Sequence, residues 1–316
     1  MRLLLLLRIT ILIFISLVSG AICPLVKLQS WQPEICITLD DIGDVEKPLY
    51  SPLTRDSMIR QSLRQRQVRA GAFFIGKYIE SDRGKEILHA WDNDGHLILN
   101  HTYSHPHYDQ DIAFKEFSDD VLKCDNLIKG AKNYKRIFRF PYLEEGDTQK
   151  KRDAMREFLK KNNYQNGYVS VVTTDWWIDA KLEELLAEDS EADVTQIKNL
   201  YLTNVKECAE FYRTLGEKVQ SDLPMKHVIL LHHNLLNALF LGDLIDMLRQ
   251  NGWKVISAEE AFSDPIYQHS PNIFPSNSSL LTSISKERGV IDGVGGKTLP
   301  ENMVYDKLYR KRFGLR

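Results

Sequence analysis

Seven short apolar runs, spaced along the chain with amphipathic charged stretches between them, limit the fold more than any other feature. They occupy residues 34–39, 70–75, 96–99, 136–140, 167–172, 227–232 and 253–257. Strands buried on both faces read as near-continuous apolar runs, and parallel strands need a crossover of about a dozen residues, usually a helix. Helical patterns fill several of the gaps, at 54–69, 84–92, 114–129, 148–162 and 241–250. The alternation predicts an α/β fold built on a parallel sheet. Seven strands suggest a distorted (β/α) barrel, although periodicity alone fits an open doubly wound sheet almost as well.

The 316 residues, 43% hydrophobic and 27% charged, suffice for a large buried core and exclude a disordered chain or a small disulfide scaffold. Lys and Arg number 41 against 43 Asp and Glu. Without a basic excess to neutralise phosphates, nucleic acid is not an expected partner. The N-terminus has three parts: a short basic segment with Arg2 and Arg8, the apolar run 9–18, and the small residues Ser19, Gly20 and Ala21. That is the layout of a secretory signal peptide covering 1–21, and it predicts export to the periplasm, cell envelope or extracellular space. Membrane attachment is expected only if this segment stays uncleaved. Its loss leaves a net charge of −4. Four cysteines, Cys23, Cys36, Cys124 and Cys208, form no C-x-x-C pair. They are read as small buried hydrophobes rather than metal ligands.

Chemistry-bearing residues gather at the ends of the predicted strands. Asp40 and Asp41 follow the first run. Neighbours in a strand point to opposite faces, so both carboxylates serve one site only where the strand ends and bends. His101 and His105 follow the third run. Four residues apart in a single helical turn, two imidazoles lie about 5–6 Å apart and can share a cation. Pro106 limits that helix to one turn. Two histidines and a carboxylate make an open metal site, with positions left for water and substrate. Arg139-Phe140-Pro141-Tyr142, Asp175-Trp176 and Leu230-x-His232 complete the set. Taken singly, each has a plain structural reading: a capping Asp pair, a surface Arg, a core Trp. His89, His107, His227, His233 and His269 are read as structural.

The ordered set carries more weight than its members. Thr38-Leu39-Asp40-Asp41, His101-x-x-x-His105, Arg139-Phe140-Pro141-Tyr142, Asp175-Trp176 and Leu230-x-His232 occur in that order, together with Gly71-Ala72-Phe73-Phe74-Ile75-Gly76 and Gly95-His96-Leu97-Ile98-Leu99-Asn100. The set closely resembles the polysaccharide deacetylase family, also called the NodB homology domain or carbohydrate esterase family four. The resemblance spans about residues 35–261. It implies a NodB-like distorted barrel and one divalent cation, usually zinc, held by Asp41, His101 and His105. It further implies Asp40 as general base toward the attacking water and His232 as general acid toward the departing amine. Arg139 would orient Asp40, and Asp175 would hold His232. The Tyr142 backbone N–H would meet the oxyanion, with Trp176 and Leu230 around the acetyl methyl. The substrate implied is an N-acetylated amino-sugar glycan.

On this reading residues 22–265 form the catalytic domain and 266–316 a C-terminal extension ending in the basic tail Lys307, Arg310, Lys311, Arg312 and Arg316. The charged stretch 179–218 reads as two or more helices inserted before the last motif, and they are expected to narrow access. One departure concerns Val172, which stands where the family often has an acid three places before Asp-Trp. Two other readings stay open: a hydrolase of the same fold acting on another amide, imide or ester, and an inactive glycan-binding relative. Retention of Asp40, His232 and Arg139 speaks against the last, because a binding module has no use for an acid and a base.

Overall fold

The computed structural model describes residues 31–47, 49–220 and 224–290. The expected signal peptide, Cys23 and the basic tail lie outside them. β1 (Glu34–Ile42), β2 (Gly71–Phe74), β3 (Leu97–Asn100), β4 (Tyr134–Phe138), β5 (Gln165–Asn166), β6 (Lys226–His232) and β7 (Lys254–Val255) form one seven-stranded sheet. Every pairing in it is parallel. Along the sheet the order is β5-β4-β3-β2-β1-β6, with β7 also on β1. A single parallel bridge from Val171 to Ile229 joins the chain after β5 to β6, so the ring comes round on itself. The expected distorted barrel is the architecture found.

Helices cover it. α1 (Pro52–Gln65), α2 (Asp82–Asn93), α3 (Phe114–Ile128) and α4 (Gln149–Lys161) fill the first crossovers. α5 (Asp175–Glu188) and α6 (Thr195–Val219) follow β5, then α7 (Leu235–Gln250), α8 (Ala258–Phe262) and α9 (Leu280–Glu287). Side chains cap several starts: Ser51, Ser81, Thr148, Asn234, Ser257 and Ser279 each accept a first-turn N–H. A cap of this kind stabilises a helix by roughly 1 kcal/mol. The barrel interior and the inner helix faces share one apolar cluster that includes Ile35, Ile37, Leu39, Phe73, Leu99 and Leu231. A second cluster, with Tyr108, Phe117, Phe138 and Phe140, lies where α3 and α4 pack together. Cys36, Cys124 and Cys208 are buried, as expected of small hydrophobes.

Three expectations need correction. The run 167–172 is not a continuous strand, because the chain leaves β4 after Asn166 and reaches β6 only at Val171. Gly167 makes that departure possible: a Cβ there would sit 2.9 Å from the Phe73 ring. α7 begins at Leu235, six residues before the expected start. Its leading residues, Leu235, Leu236, Asn237 and Ala238, are all buried, so no amphipathic period marks them. The stretch expected to begin its helices at 179 is already helical from Asp175.

Candidate active site

The site is built at the C-terminal ends of the strands, where parallel barrels place their loops. β1 does not stop at Leu39. Its pairing with β2 shifts register between Leu39 and Ile42, and Asp41 adopts φ 63°. A bulge of this kind re-aims a side chain. Here it brings both Asp40 and Asp41 to one cleft of about 840 Å³. His101, His105, Tyr142, Trp176, Leu230 and His232 line the same cleft. Every residue expected at the site faces it except Arg139 and Asp175, which stand behind Asp40 and His232.

Asp41, His101 and His105 offer ligand atoms that all lie within 4.8 Å of one another. Asp41 Oδ1 is 3.6 Å from His101 Nε2 and 3.3 Å from His105 Nε2. It is buried and, among the described residues, has no hydrogen-bond partner. His101 Nδ1 lies 2.9 Å from the Arg139 carbonyl oxygen. A carbonyl only accepts, so Nδ1 carries the proton and Nε2 presents its lone pair to the cleft. Burial and the neighbouring His101 push His105 down to about 4, leaving it neutral at neutral pH. Burial opposes charge on Asp41, but His105, His232 and His101 hold its carboxyl below the usual range. An orphaned buried carboxylate oxygen facing two imidazole Nε2 atoms fits a divalent cation.

The two histidines do not share a helical turn. Residues 101–105 form an irregular loop in which Thr102 (φ 67°) and His105 (φ 61°) are left-handed. The rings nevertheless lie 5.0 Å apart, the separation expected of a turn. Pro106 explains the difference by disfavouring helical backbone at His105.

Asp40 and His232 are register partners across β1 and β6. The Asp40 carboxylate is almost fully buried and accepts from Arg139 Nη1 at 2.5 Å. Arg139 also donates to Thr38 Oγ1 (3.0 Å) and the Gly167 carbonyl (2.8 Å), with its guanidinium 3.8 Å from the Phe73 ring centre. These contacts position the guanidinium without an acid at Val172, which lines the cleft instead. His232 Nδ1 donates to Asp175 Oδ1 at 2.8 Å, leaving Nε2 toward the cleft. Asp175 is fully buried at the start of α5 and also accepts from the His232 N–H and from Asn237 Nδ2. Burial opposes charge on His232, but Asp175 overrides it and raises the imidazole to about 10.

Tyr142 is left-handed (φ 56°) and half exposed. Its ring stacks on His107 with centroids 3.5 Å apart and meets the edge of His105 at 4.6 Å. Trp176 is 45% exposed on the first turn of α5, while Leu230 is buried in the cleft wall. Sequence reasoning passed over Asn237 and Leu143 and gave Thr38 no role of its own. His233, read as structural, lines the cleft and hydrogen-bonds Asp56 at 3.2 Å. Asn234 and Asn237, just after the last motif, carry a helix-cap signal that could have been noticed.

Fold and site together give a parallel α/β barrel with three side chains that could hold a cation, beside a buried carboxylate and a carboxylate-backed histidine. Residues 29–166 match the family model described as polysaccharide deacetylase, and the first three motifs lie within this segment. The last two motifs lie beyond the matched segment. A peptidoglycan-N-acetylglucosamine deacetylase of Bacillus cereus is 28% identical over 144 residues, 45% of this chain and 46% of that one. The chain thus aligns with about half the length of that relative. Among solved structures, a peptidoglycan N-acetylglucosamine deacetylase superposes with a TM-score of 0.50 at 22% identity, over 72% of this chain and 87% of the other. A mutant of a carbohydrate esterase family 4 pseudoenzyme, with restored enzymatic activity, gives 0.52 at 18%, over 73% and 68%. A carbohydrate esterase family 4 esterase of Streptococcus mutans gives 0.50 at 18%, over 72% and 86%. These likenesses show the fold. A pseudoenzyme is among them, so the fold alone does not imply activity, and only the side chains of the site can.

Proposed function

We propose that the protein is an exported, metal-dependent hydrolase that removes N-acetyl groups from an amino-sugar glycan, with peptidoglycan-like material as the first candidate substrate. The donor set of Asp41, His101 and His105, beside a separate buried carboxylate and a carboxylate-backed histidine, carries the reading. A zinc ion held there would polarise the amide carbonyl and make a water acidic enough to attack.

The chain supplies the rest. Asp40 is not needed as a ligand, so its carboxylate takes the proton from the attacking water, held in place by Arg139. The guanidinium also donates to the Thr38 hydroxyl and the Gly167 carbonyl, which leaves the Asp40 it holds little freedom to turn. The developing oxyanion meets the backbone N–H of Tyr142, and Trp176 and Leu230 enclose the acetyl methyl. His232, protonated through Asp175, gives its Nε2 proton to the departing nitrogen. An amine leaves poorly as an anion, so this transfer is what breaks the bond. The signal-peptide layout of residues 1–21 supports export, which fits a substrate in the cell envelope. The test is acetate release from a panel of N-acetylated glycans, with and without a chelator. Release is expected, lost on chelation and restored by added divalent cation. No acetate from any glycan would rule the reading out.

The acid role predicts a pH signature. His232 must be protonated to act, so the rate falls on the alkaline side as that proton is lost. Asp175 raises the pKa, and a dication in the cleft draws it down again. Replacing Asp175 with Asn removes the supporting charge, and the alkaline limb should move to lower pH by about 1–3 units. Rate profiles of the two proteins between pH 6 and 11 check this, and an unmoved limb would assign the acid elsewhere.

A further inference from the structure

The loop between the two histidine ligands is held by groups that lie outside the ligand set. Its backbone can be followed atom by atom. The Thr102 N–H donates to Asn100 Oδ1 (2.9 Å), and the Thr102 carbonyl accepts from Gly76 N (3.0 Å). The Tyr103 carbonyl accepts from Lys77 N (2.9 Å), and the Ser104 carbonyl from Lys77 Nζ (2.9 Å). The His105 N–H donates to Thr102 Oγ1 (2.9 Å). The two N–H groups between these, on Tyr103 and Ser104, both donate to Asp120 Oδ2, at 2.8 and 2.9 Å, and the Tyr103 N–H is shared with the Asp120 backbone carbonyl at the longer distance of 3.2 Å. Asp120 Oδ1 accepts from Ser104 Oγ at 2.9 Å.

Asp120 lies on α3, fifteen positions after His105, and it is the side chain that satisfies the middle of the loop. The loop needs such fastening. Thr102 and His105 are held in left-handed backbone, which is disfavoured for residues with a Cβ and persists only where the surroundings over-determine it. Gly76 also presses close: a Cβ there would lie 2.8 Å from the Tyr103 ring. Freed of Asp120, the loop can relax, and the distance between His101 Nε2 and His105 Nε2 is no longer set.

We infer that Asp120 is a positioning residue for the metal site, fixing the left-handed loop that holds His101 and His105 in register with Asp41. The inference rests on the metal reading above and assigns Asp120 no contact with the cation. Its action is through hydrogen bonds rather than charge. An amide oxygen can still accept from both N–H groups, so Asp120→Asn should retain most of the effect that Asp120→Ala loses.

Zinc affinity, measured by competition with a chromophoric chelator on the full chain, and amide exchange over residues 101–106 in the metal-free protein form the test. Asp120→Ala is expected to weaken zinc about 10- to 100-fold, the usual effect of losing a group that orients ligands, and to speed exchange in the loop. Asp120→Asn should stay within about threefold of the parent protein on the same scale. Acetate release by Asp120→Ala should return toward the parent rate with excess zinc. Unchanged affinity and exchange in Asp120→Ala would overturn the inference. So would Asp120→Asn as weak as the alanine variant, because charge would then be the cause. If Asp120→Ala fails to fold, Asp120→Thr, too short to span both amides, replaces it in each comparison. A parent protein that binds no zinc would sink the metal reading instead, and loop exchange would still decide whether Asp120 fixes the loop.

Discussion

Replacing His105 with Ala is expected to empty the cation site and abolish acetate release, with the fold intact. His105 is the better choice of ligand to remove. His101 also binds the Arg139 carbonyl through Nδ1, so its loss would disturb the buried Arg139–Asp40 pair as well. The His105 ring makes its close approaches to Asp41, His101 and Tyr142, all within the cleft. Ala keeps a Cβ, so the left-handed backbone at this position is strained to a similar degree as before. Losing one of three protein ligands leaves two, too few for a stable site with several water positions. A bound cation lowers the pKa of water from 15.7 to about 7. Without it the attacking species is scarce by roughly eight powers of ten at neutral pH, so no turnover should be detected. Metal analysis of the purified variant, with thermal unfolding alongside, checks both halves. One equivalent of metal in the variant would falsify the ligand assignment.

The strands were legible because a sheet buried on both faces leaves long apolar runs, and the runs at Ile35, Phe73, Leu99 and Leu231 all proved to be core. Where burial is complete on every side, the same signal fails. α7 starts in a segment with no polar face, and the chain after β5 is apolar yet crosses between two strands without pairing along its length. The site was legible for another reason. Its residues sit within short segments, each a few positions long, at strand ends whose order the fold preserves.

The conformation of those segments was not legible. The spacing of His101 and His105 led to the right ring separation through the wrong backbone, since left-handed residues can bring two side chains as close as a helical turn can. The contacts that hold Arg139 and Asp175 in place were hidden. Thr38 and Gly167 reach Arg139 from 101 and 28 positions away, and Asn237 reaches Asp175 from 62. No local pattern marks a group whose partner is set by the closed barrel. Such residues emerge only once the strands are in register.

Asp40→Asn separates the base from the metal ligands. Asn keeps the shape of Asp and an oxygen that can still accept from Arg139, but it cannot take a proton from water. Turnover should fall by about 10²- to 10⁴-fold, the usual range for a positioned general base. The loss should be similar at every pH, unlike the shifted limb of Asp175→Asn, because no change of pH restores a carboxylate. Metal content should stay at one equivalent, since the ligand set is Asp41, His101 and His105. A second effect is expected in stability. Arg139 is buried, and without the Asp40 charge it becomes an unpaired buried cation, which costs about 3–5 kcal/mol when such a pair is broken. Chemical denaturation must therefore accompany the kinetics, with rates taken where the variant is folded. Were Asp40 only a counter-ion for Arg139, the folded variant would turn over at nearly the parent rate, and the role of base would have to pass to another group in the cleft.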